Sequence, residues 1–286
     1  MRKRLTKVQW LGTTNATMYF VFFSPEDQDP KGPWRDERFR QGVSMAIDRG
    51  SLMDLQYNVS ELAKAGLDVS KAWNNLLPVG YGKRFWLDPQ SADQGPSAKF
   101  FNFDPKEAKK LFDAVPGSDQ PFTYQYTNNG YGTIWVTYAE AIGNWLKEAG
   151  LKPQTETQDY SSKYITQTFR GNFKGVVYGI ETPFPEAGSY IERMFGADPA
   201  NHTKYHIPEI DAINTKQKVE LDPKVRTQQL YEWQRINDQH MYYVPTSGGG
   251  GTSFTAYQPT VHNMRPTRPS TYGGPTEQLI YYWVDS

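Results

Sequence analysis

None of the 286 residues is cysteine, which rules out a disulfide framework, a thiolate nucleophile, a thiolate metal ligand and attachment of a lipid through sulfur within these residues. Net charge is missing as well, since 31 Lys and Arg balance 31 Asp and Glu. Nucleic acids and anionic membranes are recognised through clustered cations, so a balanced chain argues against both partners. Nor is there any long apolar run. Met1-Arg-Lys-Arg-Leu5 has the basic start of a signal peptide, but the apolar stretch that follows, Met18 to Phe23, is shorter than a signal-peptide core, and nothing reaches the length of a membrane span. No targeting signal is expected within these residues. Low-complexity segments are absent too.

Aromatic side chains and turn formers are plentiful instead. Aromatics make up 15% of the chain, with 19 Tyr and 8 Trp. That level suits stacking on sugars or peptide side chains in a cleft, and equally suits amphipathic filler in a large, loop-rich domain. The 24 Gly and 20 Pro imply many turns. The length allows one large or two modest domains with a sizeable core.

In chain order, Thr17–Phe23 reads as a strand. Trp34–Arg49 reads as one amphipathic helix, with Phe39, Val43, Ala46 and Ile47 on its buried stripe and Asp36 as N-cap. Ser51–Tyr57 predicts a short helix, and from Asn58 to Phe103 periodicity is lost. Asp104-Pro105-Lys106-Glu107 opens a helix, Phe122–Tyr126 alternates as a strand, and Ile134–Ala149 forms a long helix closed by Gly150. A strand from Leu151, a helix capped by Asp159 and running to Phe169, and a buried strand Phe173–Ile180 follow. Helices at Ser189–Phe195, Pro208–Glu220 and after Asp222-Pro223, a strand Met241–Pro245 and an apolar strand Leu279–Val284 complete the reading. Strands alternating with helices predict an α/β fold with a mixed sheet.

The string from Asp36 to Arg49, D-x-x-x-R-Q-x-x-x-x-A-I-D-R, closely resembles the signature helix of the family 5 extracellular solute-binding proteins of ABC transporters, which include oligopeptide-, dipeptide-, nickel- and cellobiose-binding members. It departs at Gly42, where the family usually carries Ala. Phe103-Asp-Pro-Lys-Glu-Ala-Lys-Lys-Leu111 is similar to the family's D-P-x-x-A-K-x-L helix, Leu146–Leu151 to its L-K-x-x-G-I/L turn, and Pro208–Asp211 with Arg226 and Gln234 to its late helical pair. The order is kept over roughly residues 20 to 260. The resemblance implies a periplasmic-binding-protein-like lobe, a mixed sheet flanked by helices, that is the second of two. On that reading 1–23 is a hinge-crossing segment, 24–245 the C-terminal lobe, and 246–286 a return toward a first lobe that these residues largely omit. It further implies a periplasmic or extracellular setting, an ABC permease as partner, an oligopeptide or small oligosaccharide as ligand, and neither cofactor nor catalysis.

The resemblance also nominates ligand contacts. Peptide-binding relatives carry G-W-x-x-D-Y-x-D/E-P where this chain has Tyr178-Gly-Ile-Glu-Thr-Pro-Phe-Pro185, so Tyr178 stands for the tryptophan and Glu181 for the aspartate that meets a ligand's α-ammonium group. Thr182 and Phe184 depart from that pattern. Tyr160 matches a tryptophan that lines the cleft, Tyr131 and Trp135 sit at a strand-to-helix turn, and Ser247 with Gly248 follows a strand that contacts ligand backbone. For each, packing within the core or a loop is the competing explanation. Catalytic alternatives are weaker. Glu181 and Glu186 could serve a glycoside hydrolase only at a defined separation, which a Pro-broken loop does not fix. His202 and His206 would share a metal only on a helix, which Asn201 and Pro208 disfavour. A glycoside hydrolase domain and a non-binding fragment remain as other readings.

Overall fold

The computed structural model describes residues 8–14, 17–181, 184, 186–196, 201–247, 250–264 and 281–285. In chain order it contains β1 (Gln9–Thr14), β2 (Met18–Phe23), α1 (Glu37–Met45), α2 (Arg49–Tyr57), α3 (Val59–Lys64), α4 (Pro105–Asp113), β3 (Phe122–Thr127), α5 (Thr133–Glu148), β4 (Pro153–Gln158), β5 (Val176–Glu181), α6 (Ala187–Phe195), α7 (Pro208–Val219), α8 (Pro223–His240), β6 (Tyr243–Pro245), β7 (Thr252–Tyr257), β8 (Val261–His262) and β9 (Trp283–Val284).

The six residues of β2, Met-Tyr-Phe-Val-Phe-Phe, carry no charge and are buried at every position. A strand apolar on both faces needs cover on both. Alternation sends Tyr19, Val21 and Phe23 into one core, against α1, α4 and α5, and Met18, Phe20 and Phe22 into the other, against α6, α7 and α8. The result is a three-layer α/β/α unit around a five-stranded mixed sheet ordered β4-β3-β5-β2-β6. Only β2 runs against the rest: β3 is parallel to β4 and β5, and β2 is antiparallel to β5 and β6. The incoming and outgoing strands pair, Phe20 with Pro245 and Phe22 with Tyr243. Outside the sheet, β1, from the segment read as hinge-crossing, pairs antiparallel with β7, from the segment read as the return.

Capping chemistry is where the sequence reading holds closely. Asp36, Asp48, Asp104, Asp159 and Asp222 each accept a backbone N–H in the first turn that they open. Four expectations are corrected. Trp34–Arg49 is not one helix, because α1 stops at Met45 and Asp48 caps a second one, accepting from Ser51 N at 3.0 Å and from its hydroxyl at 2.6 Å. Between Asn58 and Phe103 the chain contains α3 and 3-10 turns at Val79–Arg84 and Ala92–Phe101. After Asp159 comes one π turn, Tyr160–Tyr164, and a 3-10 turn, Thr168–Arg170, in place of an α-helix. The C-terminal strand is Trp283–Val284, paired with β8, while Leu279 and Ile280 lie outside the described residues.

The polar residues of the Asp36–Arg49 string act on backbone. Arg40, 4% exposed, donates to the carbonyls of Trp34 (2.7 Å) and Arg35 (3.1 Å) and to His240 O at the end of α8 (2.8 Å), and Gln41 donates to Gln239 O at 2.7 Å. Those carbonyls terminate a helix, where a cation and an amide donor are favoured. Arg49 is fully buried and donates to Pro245 O (3.0 and 2.8 Å), Ser44 O (3.0 Å), Phe101 O (3.0 Å) and Ser44 Oγ (2.7 Å). The departure at Gly42 has a steric reason, since a Cβ there would lie 2.5 Å from the Phe112 ring of α4.

Arg49→Ala should therefore lower unfolding free energy by about 3 kcal/mol or more, because three buried carbonyls lose their donor. Arg38→Ala, on the exposed Asp36 pair, should leave the urea midpoint unchanged. Equal midpoints for the two variants would refute the assignment. Asp238, buried beside this cluster and bonded by Gln94 (2.7 Å) and Asn237 (3.1 Å), is pushed by burial from 3.8 to about 7. A raised folded-state value stabilises the protonated form, so its contribution is full below pH 4 and is lost as pH rises through 7. Subtracting Asp238→Asn from wild type in urea titrations between pH 4 and 8 should reveal that falling slope, and parallel curves would contradict it.

Candidate functional site

Because β3, β4, β5 and β6 all point the same way, their C-terminal ends, Thr127, Gln158, Glu181 and Pro245, lie along one edge of the sheet. Crevices outside the carboxyl ends of strands are where open α/β sheets bind ligands. The predicted contacts leave the sheet at that edge: Tyr131 and Trp135 after β3, Tyr160 after β4, Tyr178 and Glu181 within β5, Ser247 after β6. Gly248 lies outside the described residues.

Tyr131 and Tyr160 are the half-buried pair of the group. Their rings meet edge to face at 5.1 Å, and Tyr131 continues to Trp135 at 5.0 Å and Tyr164 at 6.2 Å. Asn129 ties the two loops together, accepting from Tyr160 N at 2.7 Å and donating to Asp159 Oδ2 at 2.8 Å. The Ser162 hydroxyl, the Asn129 amide and the Ser162 N–H hold the Asp159 carboxyl down at about 2, so this clasp stays ionised at any ordinary pH. Gly130, at φ +94°, leaves the room that Tyr160 fills, for a Cβ there would sit 2.8 Å from Tyr160 Cγ.

Trp135 and Tyr178 are placed differently. Both are fully buried and stack at 4.3 Å with 20° between their planes, and Trp135 Nε1 donates to Thr127 O at 3.1 Å. They support the aromatic pair from inside the core, and a solute reaches neither unless the core opens. Ser247 is also buried, its hydroxyl donating to Arg49 O at 2.8 Å. Glu181 is 3% exposed, and Oε2 accepts from Arg193 Nη2 at 3.3 Å. The paired carboxylates of the enzyme reading go separate ways, because Glu186 caps α6 through Gly188 N and pairs with Arg226. His202 is buried in the aromatic core, His206 is exposed, and among the described residues no group of three or more His, Cys, Asp or Glu could hold a metal.

Arg193, Asn129 and Tyr164 were not found from sequence. The first two sit in loop and helix positions with no periodic signature, and Tyr164 was read only as one apolar position on a helix.

An α/β/α unit with its loops gathered at one strand edge is the architecture of a periplasmic-binding-protein-like lobe. The family model described as bacterial extracellular solute-binding proteins, family 5 (middle) matches residues 2–202, and the chain belongs to that family. Its solved relatives agree in fold. Similar structures are the ABC transporter substrate-binding protein CtaP from Listeria monocytogenes (18% identity, 92% of this chain and 50% of that one, TM-score 0.70), DppA from Helicobacter pylori in complex with peptide STSA (15%, 99% and 50%, 0.71) and NikZ from Campylobacter jejuni in complex with Ni(L-His) (13%, 99% and 55%, 0.67). The chain spans about half the length of these structures. A search of curated protein sequences returns no match. Among the described residues no helix is long and apolar enough to cross a membrane.

Gly130→Ala should force Tyr160 off Tyr131 and cost about 1–2 kcal/mol through its left-handed backbone. Loss of the nuclear Overhauser contacts between the two rings, with the core contacts of Trp135 intact, is the expected spectrum. Preserved Tyr131–Tyr160 contacts would show that the glycine is not needed for the site.

Proposed function

We propose that this chain supplies one lobe of the solute-binding component of an ABC importer, and that the strand-end edge carrying Tyr131 and Tyr160 is its wall of the capture cleft. The single observation that carries this reading is that β3, β4, β5 and β6 end along one edge, with two half-buried aromatic rings held there by Asn129 and Asp159. Capture without chemistry fits a family of binding proteins, and the glycoside hydrolase alternative has no support from the separately neutralised Glu181 and Glu186. The setting is periplasmic or extracellular and the partner a membrane permease, as the family implies.

The ligand we assign first is an oligopeptide, the class bound in the DppA relative. A small oligosaccharide is the second reading, favoured by the partly exposed faces of Tyr131 and Tyr160, since tyrosine rings stack readily on sugars.

One wall makes roughly half the contacts of a closed cleft while most of the entropy cost of association remains. Binding by this chain alone should therefore be about millimolar, near 4 kcal/mol. Calorimetry with short peptides and oligosaccharides should find such binding, weakened about tenfold in Tyr160→Ala, and strengthened when a matching first lobe is supplied in trans. Micromolar affinity indifferent to Tyr160→Ala and Tyr131→Ala would put the site elsewhere.

A further inference from the structure

Resting on that reading, the charges around Glu181 define which end of a solute the wall accepts. The carboxylate that was expected to meet an ammonium group lies between two nitrogens of its own chain: Arg193 Nη2 is 3.3 Å and His202 Nε2 3.4 Å from the same oxygen, Oε2. His202 Nδ1 is 2.6 Å from Phe169 O, and a carbonyl only accepts, so Nδ1 carries a hydrogen and Nε2 is the nitrogen turned to the carboxylate. With its side chain at 3% exposure and Arg193 against it, Glu181 has its charge balanced inside the lobe. An arriving ammonium would have to shed its water beside a guanidinium, which adds desolvation to like-charge repulsion.

Arg193 is the charged group on the solvent side, its side chain 21% exposed. Phe184 covers its guanidinium at 5.5 Å, and Tyr81 donates to Phe184 O at 2.5 Å. Of its five N–H donors Glu181 engages one, and among the described residues the buried Nε has no hydrogen-bond partner. The Tyr190 hydroxyl, buried on the same face of α6, has none either. A pinned planar cation with donors to spare matches an oxygen acceptor, and a carboxylate best of all.

We propose that Arg193 is the specificity-determining residue of this wall, selecting solutes that present an acyl or carboxylate oxygen and turning away those that present a free ammonium group. Glu181 is the positioning residue that fixes the guanidinium.

The test uses tetra-alanine amide in three forms, with a free amino terminus, N-acetylated and N-succinylated, each titrated into the chain by calorimetry or ligand-observed NMR. The succinyl form should bind about tenfold tighter than the free form, with the acetyl form between them. Arg193→Gln should remove that order, Arg193→Lys should keep part of it, and Glu181→Gln, which loosens the guanidinium, should shrink the differences without inverting them. Should Arg193→Gln fail to fold, as judged by its circular dichroism melt, Glu181→Gln decides alone. Tightest binding of the free form, lost in Glu181→Gln, would make Glu181 the ammonium receptor and overturn the proposal while leaving peptide capture in place. No binding of any form would overturn peptide capture, and this proposal with it.

Discussion

A guanidinium sealed inside the protein, near Asp238 but hydrogen-bonded to no carboxylate among the described residues, is the constraint from which the strand-end edge follows. Arg49 is fully buried, and burial lowers its value to about 9, still above neutrality, so its charge has to be met by oxygen dipoles. Three carbonyls and one hydroxyl meet it, from the end of α1, from the turn ending at Phe101 and from the end of β6. A fork of rigid donors can reach three segments at once, which a lysine point charge cannot do. The Ser247 hydroxyl closes the loop onto Arg49's own carbonyl. The Asp36–Arg49 string is thus a fastening for the lobe, and its bearing on the strand-end edge is to fix where β6 ends.

The second constraint is the apolar sheet. With both faces of β2 buried, helices must cover both, and the chain fills those layers with rings: Trp135, Trp233, Tyr124, Tyr138, Tyr164, Tyr178, Tyr190 and Tyr243 are all fully buried. Buried tyrosines each bring a hydroxyl that needs a partner, and several find backbone carbonyls. Tyr124 donates to Ala139 O, Tyr164 to Tyr178 O and Tyr243 to Met194 O. Most of the aromatic wealth among the described residues is therefore packing, while the Tyr131–Tyr160 pair stands partly clear of it at the strand edge.

Local signals in the sequence were legible because they concern one segment at a time. An Asp before a Pro or a polar turn meets its own chain's amides, and the prediction survives folding at Asp104, Asp159 and Asp222 alike. The strand Thr17–Phe23 was readable for the same reason. What escaped depends on distant partners. Whether Glu181 offers its charge outward rests on Arg193, twelve residues along and on another element. Tyr178 was matched by position to a cleft residue, but alternation along β5 turns it toward Val21 and Trp135 on the core side. The α1–α2 break was hidden because Asp48 and Arg49 continue the helical spacing while their side chains work as a cap and a clasp.

These two kinds of contact divide the work at the edge. Side chains bonded to backbone, namely Asn129, Asp159, Arg49 and Ser247, hold the chain where β3, β4 and β6 leave the sheet. The edge is ordered in advance by these bonds, so a contact made there is less eroded by the entropy of ordering. The rings standing on that frame can remain partly exposed because Trp135 and Tyr178 support them from beneath, at the expense of never meeting a solute themselves. A charge placed in such a setting cannot swing to suit its ligand. Within the Glu181–Arg193 pair the guanidinium is the more exposed partner, 21% against 3%, and the carboxylate lies behind it.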